Sequence, residues 1–111
     1  MASANVLELG EHNWQSEVVS STIPVLVDFW APWCSPCRAL NPTIDKVADQ
    51  FAGKVKVGKV NTVDHEDLAA RYGINYIPRL LIFKGGEQPV MAMGGTTEAE
   101  LVKVLNKVLE G

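Results

Sequence analysis

An apolar run, Val25–Trp30, directly follows Pro24 and is interrupted only by Asp28. Its β-branched and aromatic residues occupy both alternating faces of a strand. A strand that is apolar on both faces is typical of the centre of a sheet that is covered above and below. The run therefore predicts the central strand of an α/β domain.

The rest of the chain alternates between strand patterns and helix patterns. Further strands are predicted at Val6–Leu9, Val55–Val60, Leu80–Phe83 and Val90–Met93, and helices at Asn13–Ser20, Ser35–Phe51, Glu66–Tyr72 and from Thr97 onward. We expect Asp64 to cap the third helix, Pro42 to bend the second, and Thr97 to form a capping box with Glu100. The order β-α-β-α-β-α-β-β-α predicts a mostly parallel sheet with helices on both faces, in a single domain over residues 1–111.

Composition and charge disfavour several classes of protein. The 111 residues are 47% hydrophobic and 21% charged, with a net charge of −3, a balance that favours a folded core over disorder. No stretch concentrates Lys and Arg, so nucleic acid is not an expected partner. No uncharged apolar segment reaches ~18 residues, and the first residues lack the pattern of a secretory signal. We therefore expect a cytoplasmic protein without a membrane partner; the mature form of an organellar protein would share these features.

The two cysteines, Cys34 and Cys37, lie where the helix after the central strand should begin. At a helix N-terminus the free backbone N–H groups and the helix dipole favour a negative charge, so Cys34 should lose its proton more readily than a free cysteine. Cys37 follows one turn later on the same side of the helix, less exposed but within reach of the first sulfur. The pair predicts a dithiol/disulfide oxidoreductase with Cys34 as nucleophile and Cys37 as resolving thiol.

Two other interpretations of the cysteine pair are weaker. This spacing is also common in zinc sites, but only His12 and His65 could complete the tetrahedron, and they form no closely spaced second pair of ligands. A purely structural disulfide is disfavoured because so short a loop restrains the unfolded chain little. We assign no function to either histidine.

The segment Val25–Pro42, VLVDFWAPWCSPCRALNP, resembles the thioredoxin family in its strand, its Trp-Cys-x-Pro-Cys motif and its helix proline. Ile77-Pro78 and Gly94 match two further landmarks of the family, and the resemblance runs in order along essentially the whole chain. It implies the thioredoxin fold, an α/β fold with a central five-stranded mixed sheet flanked by four helices. It also implies a protein-disulfide reductase and electron carrier with no bound cofactor besides the redox-active Cys34–Cys37 disulfide.

Asp28 and Lys59 are charged residues within apolar strand patterns. The apolar neighbours of Asp28 favour burial over a solvent-facing edge position. Lys59 alternates in register with Val55 and Val57 and so shares their face, although a solvated Lys59 is the alternative. In the family the matching Asp and Lys lie beneath the cysteines. The resemblance therefore implies that Asp28, modulated by Lys59, exchanges the proton of Cys37.

The resemblance also implies a docking surface for target proteins around Cys34. Pro78 is expected in the cis form, facing the cysteines, although the sequence alone would favour trans; its neighbour Ile77 would offer backbone atoms to an extended target segment. Trp33 could instead be a core residue, but its place beside the cysteine loop favours docking. The rest of the implied substrate-binding set is Ser35, Pro36, Met93 and Gly94, with Gly95 beside it.

The partners that the resemblance implies are disulfide-containing target proteins and a thioredoxin reductase that draws on NADPH or ferredoxin, with the protein itself a monomer. Two residues depart from the family pattern: Ser35 replaces the Gly usual between the cysteines, and Arg79 replaces the Thr usual after the proline. A guanidinium within reach of Cys34 would favour its thiolate. Two alternatives stay open, a disulfide oxidase or isomerase of the same fold and a binding or scaffold module.

Overall fold

The computed structural model describes residues 3–111, so the first two residues of the predicted domain lie outside it. The strands are β1 (Val6–Glu8), β2 (Val25–Trp30), β3 (Lys56–Asn61), β4 (Arg79–Phe83) and β5 (Met91–Met93). The helices are α1 (Ser35–Gln50), α2 (Glu66–Arg71) and α3 (Glu98–Glu110), and a short π-helical segment, Gln15–Val19, precedes β2. The order of elements agrees with the alternation of patterns in the sequence, and the fold is the thioredoxin fold that the resemblance implies.

The five strands form one mixed sheet in the order β1-β3-β2-β4-β5. The pairs β1 with β3 and β3 with β2 are parallel, whereas β2 with β4 and β4 with β5 are antiparallel. The expectation of a mostly parallel sheet is therefore wrong, and the mixed sheet is confirmed. The segment between β3 and β4, which contains α2, does not cross back over the sheet, so β4 begins at the end of the sheet where β3 finishes.

Helices cover both faces of the sheet, and β2 lies between them. Residues Val25 to Phe29 of β2 are all buried, which confirms the doubly covered central strand. The face under α1 and α3 presents Leu26, Val57, Leu80 and Ile82. The opposite face, against α2 and the N-terminal segment that contains the π-helical turn, presents Val25, Val27, Phe29, Val60, Leu81 and Phe83.

Of the two predicted helix caps, the one at Thr97 is present, and the prediction for Asp64 is wrong. The Oγ1 atom of Thr97 accepts a hydrogen bond of 3.2 Å from the backbone N–H of Glu100 at the start of α3. The N-cap of α2 is His65, whose side chain makes no capping hydrogen bond. Asp64 lies one position too early to cap this helix. Gly73, with φ of 63°, follows α2 closely and stops the helix there.

α1 is the longest helix, with 16 residues, and it sets the position of the cysteines. It continues through Pro42, and its buried residues Leu40, Ile44 and Val47 pack on the sheet. Within residues 3–111, no helix combines the length and the apolar character that crossing a membrane requires.

Candidate active site

Cys34 is the N-cap residue of α1, and Cys37 lies in the first turn of that helix. The two residues form a disulfide, with their Cα atoms 5.3 Å apart. The sulfur of Cys34 accepts a hydrogen bond of 3.2 Å from the backbone N–H of Cys37. In the reduced protein the same N–H group, together with the helix dipole, would stabilise a thiolate at Cys34. The local geometry therefore suits a nucleophilic sulfur.

The sequence between the cysteines favours this helix start. The backbone N–H of Cys34 donates to the carbonyl oxygen of Ala31 at 3.1 Å, which closes a turn just before α1. Pro36 lies in the first turn of α1, where its missing N–H group leaves no helix hydrogen bond unmade. Ser35 and Pro36 are both exposed. The turn and the proline together hold Cys34 at the N-terminus of α1.

The two cysteines differ in their access to solvent. Cys34 is 4% exposed and Cys37 is 0% exposed. They form a small apolar cluster with Ala31, against which Ile77 packs. Since only Cys34 reaches the surface, a foreign sulfur can meet the protein only there. Cys37, which has no exposed surface, contacts the sulfur of Cys34.

Among the predicted docking residues, Trp33 is exposed at the surface, and Ile77 and Gly94 lie at or near Pro78. Trp33 is 72% exposed, so it is not a core residue. The Ile77-Pro78 peptide bond is cis, as the resemblance implies. Both glycines after β5 lie near the proline: a Cβ atom added to Gly95 would be 3.7 Å from the ring of Pro78, and one added to Gly94 would be 4.0 Å from its carbonyl oxygen.

Met93 takes a different position from the other predicted docking residues. It is half-buried, pairs with Leu80 across the sheet and packs against the core under α1 and α3. Much of its side chain therefore contributes to the fold, which leaves only part of it for contact with a target protein.

An open groove of about 300 Å³ lies beside Trp33, and its walls include a residue that the sequence analysis missed, Tyr76. Tyr76 is 55% exposed. The guanidinium of Arg79 lies 4.9 Å from the centroid of its ring and donates a hydrogen bond to its hydroxyl oxygen. Arg79 is thus engaged by Tyr76, and neither contact involves Cys34. The groove is lined by Trp33, Thr62, Ile74, Asn75, Tyr76 and Ile77.

Asp28 is fully buried in β2, as the sequence predicts, on the face that α1 covers. Neither of its carboxylate oxygens has a hydrogen-bond partner among the described residues. Burial raises the pKa of Asp28 from 3.8 to about 7, and the positive charge of Lys59 opposes this rise. A carboxyl group with such a pKa can both accept and return a proton at neutral pH.

Lys59 is the neighbour of Asp28 on β3, in direct register with it. Its ammonium group donates a hydrogen bond to the side-chain oxygen of Asn41 on α1 and lies 4.9 Å from the centroid of the Trp30 ring. Within residues 3–111, no ion pair joins Lys59 to Asp28. Lys59 therefore acts on Asp28 as a nearby charge rather than as a direct partner. Asn41 was missed by the sequence analysis, although its spacing from Cys37 places both on one side of α1.

The histidines and cysteines show no grouping for a metal. In the described part of the chain, no three His, Cys, Asp or Glu side chains come together as ligands. His65 instead pairs with Glu11, Nδ1 to Oε1, at 3.6 Å, and its ring centroid is 6.3 Å from that of His12. The sulfurs of Cys34 and Cys37 are bonded to each other.

Comparisons with known proteins support the resemblance. The Thioredoxin family model matches residues 5–107. Thioredoxin 1 of Nostoc sp. is 46% identical over 102 residues, which cover 92% of this chain and 95% of that protein. The thioredoxin of Pyropia yezoensis is 42% identical over 105 residues, or 95% of this chain and 98% of that protein.

A longer relative is the chloroplastic thioredoxin M4 of Arabidopsis thaliana, which is 44% identical over 108 residues. The matched region covers 97% of this chain and 56% of that protein. The family-model match, residues 5–107, includes both cysteines and all five strands. We conclude that the chain belongs to the thioredoxin family and is a protein-disulfide reductase.

Proposed function

We propose that Cys34 attacks the disulfides of target proteins and that Cys37 releases the reduced targets. The Cys34 thiolate attacks one target sulfur and forms an intermolecular disulfide, while the other target sulfur leaves as a thiolate. Cys37 then loses its proton and attacks the sulfur of Cys34, and the second target thiolate leaves. Two electrons have passed to the target, and the Cys34–Cys37 disulfide has formed. The observation that carries this assignment is the Cys34 sulfur, which accepts a backbone hydrogen bond at the start of α1.

Asp28 is the proposed proton acceptor for Cys37. Both residues are fully buried, Asp28 on the sheet face under α1 and Cys37 on the inner side of α1. A pKa of about 7 lets the carboxylate take the thiol proton near neutral pH and return it when the protein is reduced again. Lys59 tunes this exchange through its positive charge.

Trp33, Ile77 and Pro78 form the proposed docking surface, with Ser35, Pro36, Met93 and Gly94 around it. Trp33 supports this role because it is large, apolar and mostly exposed beside the cysteine loop. Ile77, directly before Pro78, packs against the cysteine cluster. An extended target segment can lie across these residues with its disulfide at Cys34.

Replacing Trp33 by alanine should raise the KM for insulin about tenfold and leave kcat within about twofold. The indole ring supplies apolar contact area worth about 1–3 kcal/mol, and it takes no part in sulfur exchange. Steady-state insulin reduction measures both constants. The control is Val90→Ala, an exposed apolar residue just before β5, which should change neither. An unchanged KM in the Trp33 variant would remove this residue from the docking surface.

We further propose that the protein is a monomer formed by one domain over residues 1–111, in the cytoplasm or a reducing organelle, and that a thioredoxin reductase recharges it. Relatives in cyanobacteria and chloroplasts are compatible with either location.

Recharging by a thioredoxin reductase is tested by insulin reduction with an NADPH-linked and a ferredoxin-linked recycling enzyme, compared in parallel. Sustained turnover with at least one enzyme is expected, and the faster one identifies the donor class. A single turnover with both would contradict recharging by either reductase.

A further inference from the structure

Asn41 connects the helix that carries the cysteines to the charged residues of the sheet below. It follows Cys37 by four residues, so both side chains lie on the same side of α1. Asn41 is half-buried, and its Oδ1 atom accepts a hydrogen bond from the Nζ atom of Lys59 on β3. This contact crosses from one layer of the fold to the next, directly beside Asp28.

Several acidic residues lie near Lys59. Its register partners are Glu8 on β1 and Asp28 on β2. It nevertheless makes its hydrogen bond to the neutral Asn41 and lies over the ring of Trp30. Lys59 also borders a crevice of about 370 Å³ whose other titratable residues are Glu8, His12, Asp45, Asp64 and His65.

Among the described residues, few charged or titratable groups lie beside Asp28. Its register partners are Lys59 on β3 and the apolar Leu80 on β4, and α1 covers its face of the sheet with Cys37 on the buried side. Both oxygens of Asp28 lack hydrogen-bond partners within the described chain. The Coulomb energy between Lys59 and Asp28 falls with their distance. The place where Lys59 is held therefore decides how strongly it favours the ionised carboxylate.

We propose that Asn41 is a positioning residue for the thiol exchange. By accepting the hydrogen bond of Lys59, it holds the ammonium group against α1 and Trp30 and prevents a direct ion pair with Asp28. The carboxyl group thereby stays free to exchange the proton of Cys37. This proposal rests on the proposed role of Asp28 and adds a residue that acts only through Lys59.

The decisive change is Asn41→Ala, which removes the acceptor and suits a helix interior. Without Asn41, Lys59 can approach Asp28, and an opposite charge at short range favours the ionised form. We expect the titration midpoint of Asp28, followed by carboxyl carbon NMR of the reduced protein, to fall by about half a pH unit to one pH unit. Lys59→Met should move the midpoint in the opposite direction.

The double variant separates positioning from a merely structural effect. In the Lys59→Met background, Asn41→Ala should leave the Asp28 midpoint where Lys59→Met alone puts it. Asn41→Gln keeps a side-chain acceptor and should restore part of the wild-type midpoint. Gln50→Leu, an exposed change on the same helix, should have no effect. An unchanged or higher midpoint in Asn41→Ala, or an equal effect of Asn41→Ala without Lys59, would overturn the proposal.

A kinetic readout distinguishes failure of this inference from failure of the proposed function. The rate at which Cys37 releases a target from the mixed disulfide should follow the Asp28 midpoint, so its pH profile should move to lower pH in Asn41→Ala. If Asp28→Asn leaves the release profile unchanged, the proposed base is wrong. The NMR midpoint still decides whether Asn41 positions Lys59.

Discussion

Replacement of Cys34 by serine is expected to lower the rate of insulin reduction by about a thousandfold or more. A serine hydroxyl is not ionised at neutral pH and cannot enter sulfur exchange, so the first bond to the target cannot form. The remaining thiol, Cys37, is fully buried and cannot replace it. Turbidity of the precipitating insulin chains, with a recycling enzyme present, measures the rate.

The matched control is Cys37→Ser, which should still attack a target once. Without the resolving thiol, the intermolecular disulfide to Cys34 should accumulate, and intact mass spectrometry should show one target joined to one protein chain. A Cys34→Ser variant that keeps full turnover would contradict the assigned nucleophile. Full biological activity of the double serine variant would instead favour a binding or scaffold module.

Asp28→Asn is expected to remove a loss of about 4 kcal/mol in the free energy of unfolding that wild type shows between pH 4 and pH 8. Burial raises the pKa of Asp28 in the folded protein from 3.8 to about 7. Below pH 3.8 the group is protonated in both states. As the pH rises towards 7, the unfolded chain ionises while the folded protein keeps its proton, so the free energy of unfolding falls. At about 1.4 kcal/mol for each pKa unit, the whole loss is about 4 kcal/mol.

Denaturant unfolding at a series of pH values measures this difference. The variant carries no ionisable group at this position, so its free energy of unfolding should lack the fall that wild type shows between about pH 4 and pH 7. The control is Asp49→Asn. Asp49 is exposed, and hydrogen bonds from Ser3 and Asn5 lower its pKa, so its loss should give no stabilisation at high pH. Parallel curves for wild type and Asp28→Asn would show that Asp28 has an ordinary pKa.

Elements with a strong local pattern were predictable from the sequence. The apolar run of β2, the helix after it and the cysteines at the junction follow from hydrophobicity and from the preference of helix starts for negative charge. The predicted ends of several elements differ from the structure by one or two residues, as with β3, which begins at Lys56 rather than Val55. The ends are decided by hydrogen bonds that the local pattern does not specify.

Strand direction and side-chain partners were not predictable from local patterns. Alternation of strands and helices does not show whether the chain crosses back over the sheet before the next strand, so the prediction of a mostly parallel sheet was wrong for β4. The prediction of a cis bond before Pro78 came from the resemblance, because the peptide bond itself favours the trans form. Lys59 could have paired with any of several carboxylates, and its choice of Asn41 depends on the packing of α1 on the sheet. Arg79 meets Tyr76 through the same kind of tertiary choice.

We expect the start of α1 to make the sulfur of Cys34 reactive and burial to shield Cys37. The most direct test is alkylation of the reduced protein with iodoacetamide at pH 7, with each site quantified by peptide mass spectrometry. Cys34 should react at least about tenfold faster than glutathione, since more of it is thiolate, and Cys37 should stay unmodified over the same time. Two inert thiols, or two thiols modified at equal rates, would show that the start of α1 does not activate Cys34 selectively.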